Sequence, residues 1–175
     1  MKRSWTPQWT ARLVFVLLII ACIIPLVLQR LGHDSGPSIR ITDSMGTVRI
    51  LSLRDMKNLP LLTRRGSYQN QHGNWRDEGV YAGVLLTDLV GVDYTSIEVV
   101  AEDGYRVTIE RSRIVDPDYP MILAFRLDGV EVPSWEDGFR IAVLPEDGSV
   151  SNVDYQADSA GAYWVMRVSE LNLIP

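Results

Sequence analysis

The sequence predicts an α+β domain, mostly β, behind one N-terminal transmembrane helix. Three observations predict it. Alternating apolar stretches are punctuated by Asp-Gly pairs through the second half of the chain. The helix signals downstream of the N-terminal region are only a turn or two long. An uncharged run of sixteen apolar residues, "LVFVLLIIACIIPLVL" (Leu13–Leu28), lies near the N-terminus.

At about 1.5 Å per residue the apolar run spans roughly 24 Å as a helix, against roughly 30 Å of bilayer hydrocarbon. Thr10 and Ala11 extend it, Trp5 and Trp9 suit the interface, and Arg12 and Arg30 can snorkel from its ends. Pro25 falls late in the run, where a membrane tolerates a kink. Lys2, Arg3 and Arg12 precede the run, and Asp34 follows it. The positive-inside rule then keeps the N-terminus cytoplasmic and the domain outside. Two other processing routes lead to the same side. "IIAC" (Ile19–Cys22) looks like a lipoprotein box that places a lipid on Cys22, although the apolar run continues beyond it. A cleaved signal peptide needs small residues at the end of the run, and "PLVLQRLGHDS" has none at good spacing. The uncleaved anchor is favoured. The organisation expected is an anchor over residues 1–31, a linker over 32–38 and a domain over 39–175.

Charge divides along the chain in the same way. Four of the 17 basic residues precede Leu31, which leaves 13 against 22 acidic ones, a formal charge of −9. Such a domain repels polyphosphate, and nucleic acid is not an expected partner. The one cysteine is Cys22, so the domain has no disulfide, thiolate ligand or cysteine nucleophile.

In the domain, "IRIT" and "TVRILS" alternate around "DSMG" and predict a hairpin. "SLRD" is a capping box, with Ser52 capping a short helix that stops before Pro60. "LLTRR" predicts a strand feeding a polar loop, "YQNQHGNWRDEGV". "LLTDLV" (Leu85–Val90) predicts a short helical turn ended by Gly91. "EDGY", "LDGV", "EDGF" and "EDGS" then predict tight turns between "IEVVA", "YRVTI", "MILAFR" and "FRIAVL", a run of β-hairpins. Calcium-loop spacing is absent around these acids. "YWVMRVSELNL" predicts a last strand long enough to pair centrally.

The order of these parts resembles the molybdopterin-binding domain of the sulfite oxidase family, in its short single-domain form, from about Ser38 to Leu173. Five stretches carry the resemblance: "SLRDMKNLP", "YAGVLLTDLV", "VVAEDGYRVTI", "MILAFRLDGVEV" and "DGFRIAVLP". It implies layered sheets with a β-grasp-like part, and it makes molybdopterin a possible cofactor. In such enzymes a cysteine thiolate holds molybdenum in the loop before the aromatic-x-Gly-Val cassette. "QHGNWR" resembles the Cys-x-Gly-Asn-x-Arg of some members, with Gln71 in the place of the cysteine. A neutral amide does not replace a soft thiolate. The family's pterin-binding arginine, counted from Pro145, falls on Ile141; Arg140 is one place early.

The candidate ligand residues therefore cluster in Arg64, Arg65, Tyr68, Asn70, Gln71, His72, Asn74, Trp75 and Arg76. Arg64, Arg65 and Arg76 can form an anion pocket with the amides of Gly66 and Gly73, or pair with acids such as Asp77 and Glu78. His72 can contact a ligand, but one histidine without a second histidine or cysteine is a poor metal site. Trp75, Tyr68 and Tyr81 can stack on a flat ligand or pack the fold. Asn70 and Asn74 are expected to form turns, and Tyr105 and Trp164 to lie in the core or on a sheet face. No motif names a catalytic residue or a metal ligand. The expected function is non-catalytic binding of a small anionic ligand or a membrane or periplasmic protein partner. The alternatives are a molybdopterin-dependent oxidoreductase without a cysteine ligand and a structural ectodomain subunit of a membrane complex.

Overall fold

The computed structural model describes residues 36–175, which form one compact unit. The expected anchor over 1–31 and most of the linker lie outside the described residues. Among the described residues no helix is long and apolar enough to cross a membrane.

Among the described residues, eleven strands form two sheets. The first holds β1 (Ser38–Thr42), β2 (Val48–Ser52), β5 (Ser96–Ala101), β6 (Arg106–Glu110) and β11 (Val168–Ile174), in the order β2-β1-β11-β5-β6. The second holds β3 (Leu61–Gln69), β4 (Trp75–Leu85), β7 (Met121–Leu127), β8 (Val130–Glu131), β9 (Arg140–Val143) and β10 (Ser149–Val150). Its order is β10-β3-β4-β7, with β8 and β9 both paired to β7. Three one-turn helices, α1 (Leu53–Met56), α2 (Leu86–Leu89) and α3 (Arg111–Ile114), follow β2, β4 and β6. The core draws on both sheets, with Ile39, Ile41, Ile97, Val99 and Leu171 from the first and Val84, Leu123, Phe125 and Ile141 from the second.

Local chemistry accounts for the elements. β1 and β2 pair antiparallel across the Asp43–Thr47 turn, as the alternation predicts. Ser52 caps α1: its hydroxyl accepts the Asp55 amide at 3.2 Å, and the Asp55 carboxylate accepts the Ser52 amide at 3.2 Å. Leu86 and Leu89 bury the short helix expected there.

Three expectations need correction. The polar stretch after "LLTRR" is a hairpin rather than a loop. β3 continues to Gln69 and β4 begins at Trp75. The Asn70 side-chain oxygen accepts the amides of His72 at 2.9 Å and Asn74 at 3.1 Å, and Gly73 supplies a φ of +75°. That closes a tight turn, and polar residues then pair as strands with one wet face. Of the four Asp-Gly turns, only those at Gly104 and Gly129 close hairpins. The one at Gly138 leads into β9, which pairs with β7, and the one at Gly148 leads into β10, which runs parallel to β3. The turn chemistry is present, but long-range pairing decides what it joins. Finally, the last strand starts at Val168 rather than at Tyr163. A 3-10 turn occupies Ala160–Tyr163, and Arg167 takes a left-handed φ of +51° that no extended strand accommodates. From Val168 onward the strand is central as expected, parallel to β1 and antiparallel to β5.

One close approach fixes the packing of β4. A Cβ on Gly83 meets the Leu123 carbonyl oxygen at 2.2 Å and the Ala124 Cα at 2.6 Å, so only glycine lets β7 lie this close.

Candidate functional site

The β3–β4 hairpin places the nine candidate residues, and its alternation separates them. Arg64 and Arg65 are neighbours in a strand and point to opposite faces. Arg64 is half-buried and donates to the Leu144 carbonyl at 3.1 Å. Arg65 is exposed and pairs with Glu78. Gln71, His72, Asn74, Trp75 and Arg76 are all exposed around the tip, with Trp75 49% exposed. Gln71 and His72 face each other at 3.4 Å. Arg76 takes part in no ion pair among the described residues. The base of the tip is anchored: the Asn152 amide donates to the Gln69 side chain at 3.0 Å, and its side chain donates to the Asn70 carbonyl at 2.9 Å. The three arginines therefore do not converge on one anion.

The charged centre of the domain lies below the tip, on Arg140. Its guanidinium is 1% exposed and bonds the Asp77 carboxylate and, at 3.0 Å, the Asp137 carboxylate. Its Cζ lies 5.8 Å from the Tyr68 ring centroid, 5.9 Å from Tyr81 and 5.5 Å from Trp164, so three aromatic faces surround the cation. The Tyr68 ring sits 5.0 Å from Trp164, and its hydroxyl donates to Asp77 at 3.1 Å. The Tyr81 hydroxyl donates to the Asp77 carbonyl at 2.6 Å.

A β-bulge makes this arrangement. Register runs from Gly66 opposite Gly79 to Tyr68 opposite Arg76, so β4 carries one extra residue there. Asp77 adopts a φ of +52° at the bulge. A bulge re-aims a side chain that alternation would otherwise send to the wrong face. Here it sends Asp77 to Arg140. Burial opposes the Arg140 charge, but Tyr81 and Asp77 more than offset it, and its pKa rises above the ordinary arginine value. Burial raises the Tyr81 hydroxyl far above the usual tyrosine range. It raises Tyr68 as well, with the Asp77 charge adding to the effect.

Trp164 is buried, as expected. Tyr105 is 50% exposed and lies at a cleft rather than in the core. In the sequence Arg140 falls out of register with the arginine that the resemblance implies, and Asp137 sits in an Asp-Gly turn. A signal for Arg140 was present: it is the one charge in "FRIAVL", a stretch whose strand is buried at every position. Asp77 gave no such signal, because its role depends on the bulge.

No protein-family profile matches the sequence, and no curated protein matches it. The structure is similar to a class of solved folds of the sulfite oxidase type. The particular neighbour is the sulfane dehydrogenase SoxCD from Paracoccus pantotrophus, with a TM-score of 0.56 at 14% sequence identity. The match covers 79% of this chain and 38% of that one, so this chain spans well under half of its neighbour's length. The likeness is one of fold.

That fold raises the question of a molybdenum cofactor, and the residues here do not fit a thiolate-bound metal. Gln71 presents a neutral amide at an exposed hairpin tip. Among the described residues no group of three or more His, Cys, Asp or Glu side chains could hold a metal ion. Arg140 is held by two aspartates.

Proposed function

We propose that this protein is a non-catalytic recognition module of sulfite-oxidase-type fold, carried outside the cytoplasm on an N-terminal membrane anchor. It docks a protein partner through the tip of the β3–β4 hairpin. The observation that carries this reading is the composition of the tip. An exposed tryptophan, Trp75, sits with Gln71, His72, Asn74 and Arg76 on a turn held rigidly by Asn70 and Asn152. Exposed tryptophan and arginine on a rigid support are the residues that dominate protein interfaces. A small-anion pocket is less well supported, since Arg64 and Arg65 are engaged elsewhere.

The test is co-purification from membranes of the full chain and of a His72→Ala/Trp75→Ala/Arg76→Ala variant. The expected result is a partner retained by the first and lost by the second at unchanged thermal stability. A partner retained equally by both overturns the docking surface. The competing reading is a molybdopterin-dependent oxidoreductase, and fold similarity to a sulfane dehydrogenase is what favours it. Metal analysis separates the two: stoichiometric molybdenum with oxidase activity in the native protein overturns the non-catalytic reading. Protease accessibility in intact cells tests the topology, with digestion of the domain from outside expected.

A further inference from the structure

Beside the Arg140 cluster the surface opens into a cleft of about 400 Å³. Asp103 and Tyr105 reach it from the β5–β6 turn, Asp137 from the segment before β9, and Trp164, Met166 and Arg167 from the segment before β11.

Arg167 is the unusual residue. A long side chain in the left-handed region costs conformational free energy that glycine would not, and such residues concentrate at functional sites. The backbone around it is fully engaged: its amide donates to the Asp137 carbonyl at 2.7 Å, and its carbonyl accepts the Glu102 amide at 2.8 Å. The chain thus holds a strained arginine at the cleft. Its Nε donates to the Glu136 carbonyl at 3.4 Å, and it joins no ion pair among the described residues. The paired N–H groups of its guanidinium are matched to a carboxylate.

The opposite charge lines the same cleft and is not used to neutralise Arg167. Asp137 gives one carboxylate oxygen to Arg140, and Asp103 gives one to the Tyr105 amide at 2.9 Å. Neither pairs with Arg167 within 4 Å. The indole N–H of Trp164, 3% exposed and on the same wall, has no partner. Met166 and Tyr105, each about half exposed, add an apolar side. A purely anionic ligand meets two carboxylates here, and a purely cationic one meets the arginine.

We propose that this cleft binds a small zwitterion of the α-amino-acid class, its carboxylate on Arg167 and its ammonium group between Asp103 and Asp137. The inference is independent of partner docking at the hairpin tip, and its test does not involve the tip.

The test is thermal unfolding of the full chain in detergent, with each of the twenty common amino acids in turn at about 10 mM. A ligand with a Kd of about 1 mM raises the midpoint by about 4 °C for a domain of this size. At least one amino acid is expected to do so. Its analogues lacking either the amine or the carboxylate are expected to bind at least tenfold more weakly. Arg167→Gly relieves the backbone strain, so this variant should unfold at or above the wild-type midpoint and yet lose the response. Asp103→Asn keeps the turn acceptor and is expected to weaken binding about tenfold, a second reading of the site that does not depend on position 167. The proposal is overturned if no amino acid shifts the midpoint. It is also overturned if the deaminated analogue binds as well as its parent, or if Arg167→Gly responds like wild type.

Discussion

Replacing Arg140 by methionine removes a charge at the centre of the domain while keeping most of its volume. Wild-type Arg140 is 1% exposed, and the two carboxylates it serves are 36% and 35% exposed. Losing one partner of a buried pair costs about 3–5 kcal/mol, because the other charge is left without compensation. Asp77 and Asp137 are each one-third wet and can partly rehydrate, which puts the loss at the low end, about 3 kcal/mol. Asp77→Asn is milder. Asparagine tolerates the left-handed backbone that Asp77 adopts at the bulge and keeps an acceptor oxygen, so only the charge is lost. A charge-assisted hydrogen bond reduced to a neutral one is expected to cost about 1–2 kcal/mol. In the triple variant Arg140→Met/Asp77→Asn/Asp137→Asn the carboxylates no longer lack a cation, and most of the loss should be recovered. The assay is urea unfolding followed by tryptophan fluorescence, since Trp135 and Trp164 are both buried within reach of Tyr81. A destabilisation below about 0.5 kcal/mol for Arg140→Met, or a triple variant no better than the single one, would refute the reasoning, because either result means that the aspartates do not depend on the guanidinium.

Other outcomes follow from the same structure. Gly83→Ala drives a Cβ into the β7 backbone and is expected to cost more than 3 kcal/mol or to prevent folding. Gly73→Ala meets nothing within 4 Å and should cost only about 1–2 kcal/mol for its positive φ; paired thermal melts compare them. Ser52→Ala removes one arm of the α1 capping box and is expected to cost about 1 kcal/mol in urea unfolding. Burial pushes the Tyr155 hydroxyl up to about 12, so the unfolded chain releases this proton first as pH rises. The stabilisation linked to it is whole below about pH 10 and is lost between about pH 10 and 12, a fall of about 3 kcal/mol by the upper limit. The same hydroxyl is buried without a partner. Tyr155→Phe should therefore stabilise the protein by about 1 kcal/mol at neutral pH and flatten its alkaline unfolding profile.

Local chemistry made much of the fold legible. The Ser52–Asp55 box, the alternation around Asp43–Thr47 and the Asp-Gly pairs at Gly104 and Gly129 each settle a structure within a few residues. The corrections concern pairing over longer distances. Gly148 carries the same turn signal as Gly104, but the strand after it finds β3, far back in the chain, and runs parallel to it. The hairpin at Asn70–Asn74 was obscured by its polarity, because its outer face has no apolar alternation to read. The candidate site was legible only as a stretch. Residues 64–76 do share one hairpin, but period-two alternation puts Arg64 and Arg65 on opposite faces, so closeness in sequence overstates their closeness in space. Arg140 could have been noticed as a charge in a buried strand. Its partner Asp77 could not, because a one-residue bulge is invisible in a single sequence.

That bulge gives the buried charge a structural reason. A methionine at 140 among apolar neighbours would avoid the desolvation penalty of a guanidinium, so stability alone does not explain the arginine. Register does. A one-residue slip of β4 against β3 reverses every side chain of a strand whose polar half offers little apolar pattern to resist it. In the observed register the bulge delivers Asp77 to Arg140. Asp137 extends the constraint: its carboxylate holds Arg140 while its carbonyl holds the amide of Arg167. Through Arg140, which also holds Asp77, Asp137 thus links the hairpin that carries the exposed tip to the segment that carries the cleft. The interior ion pair positions both surfaces while it leaves their outward-facing groups available.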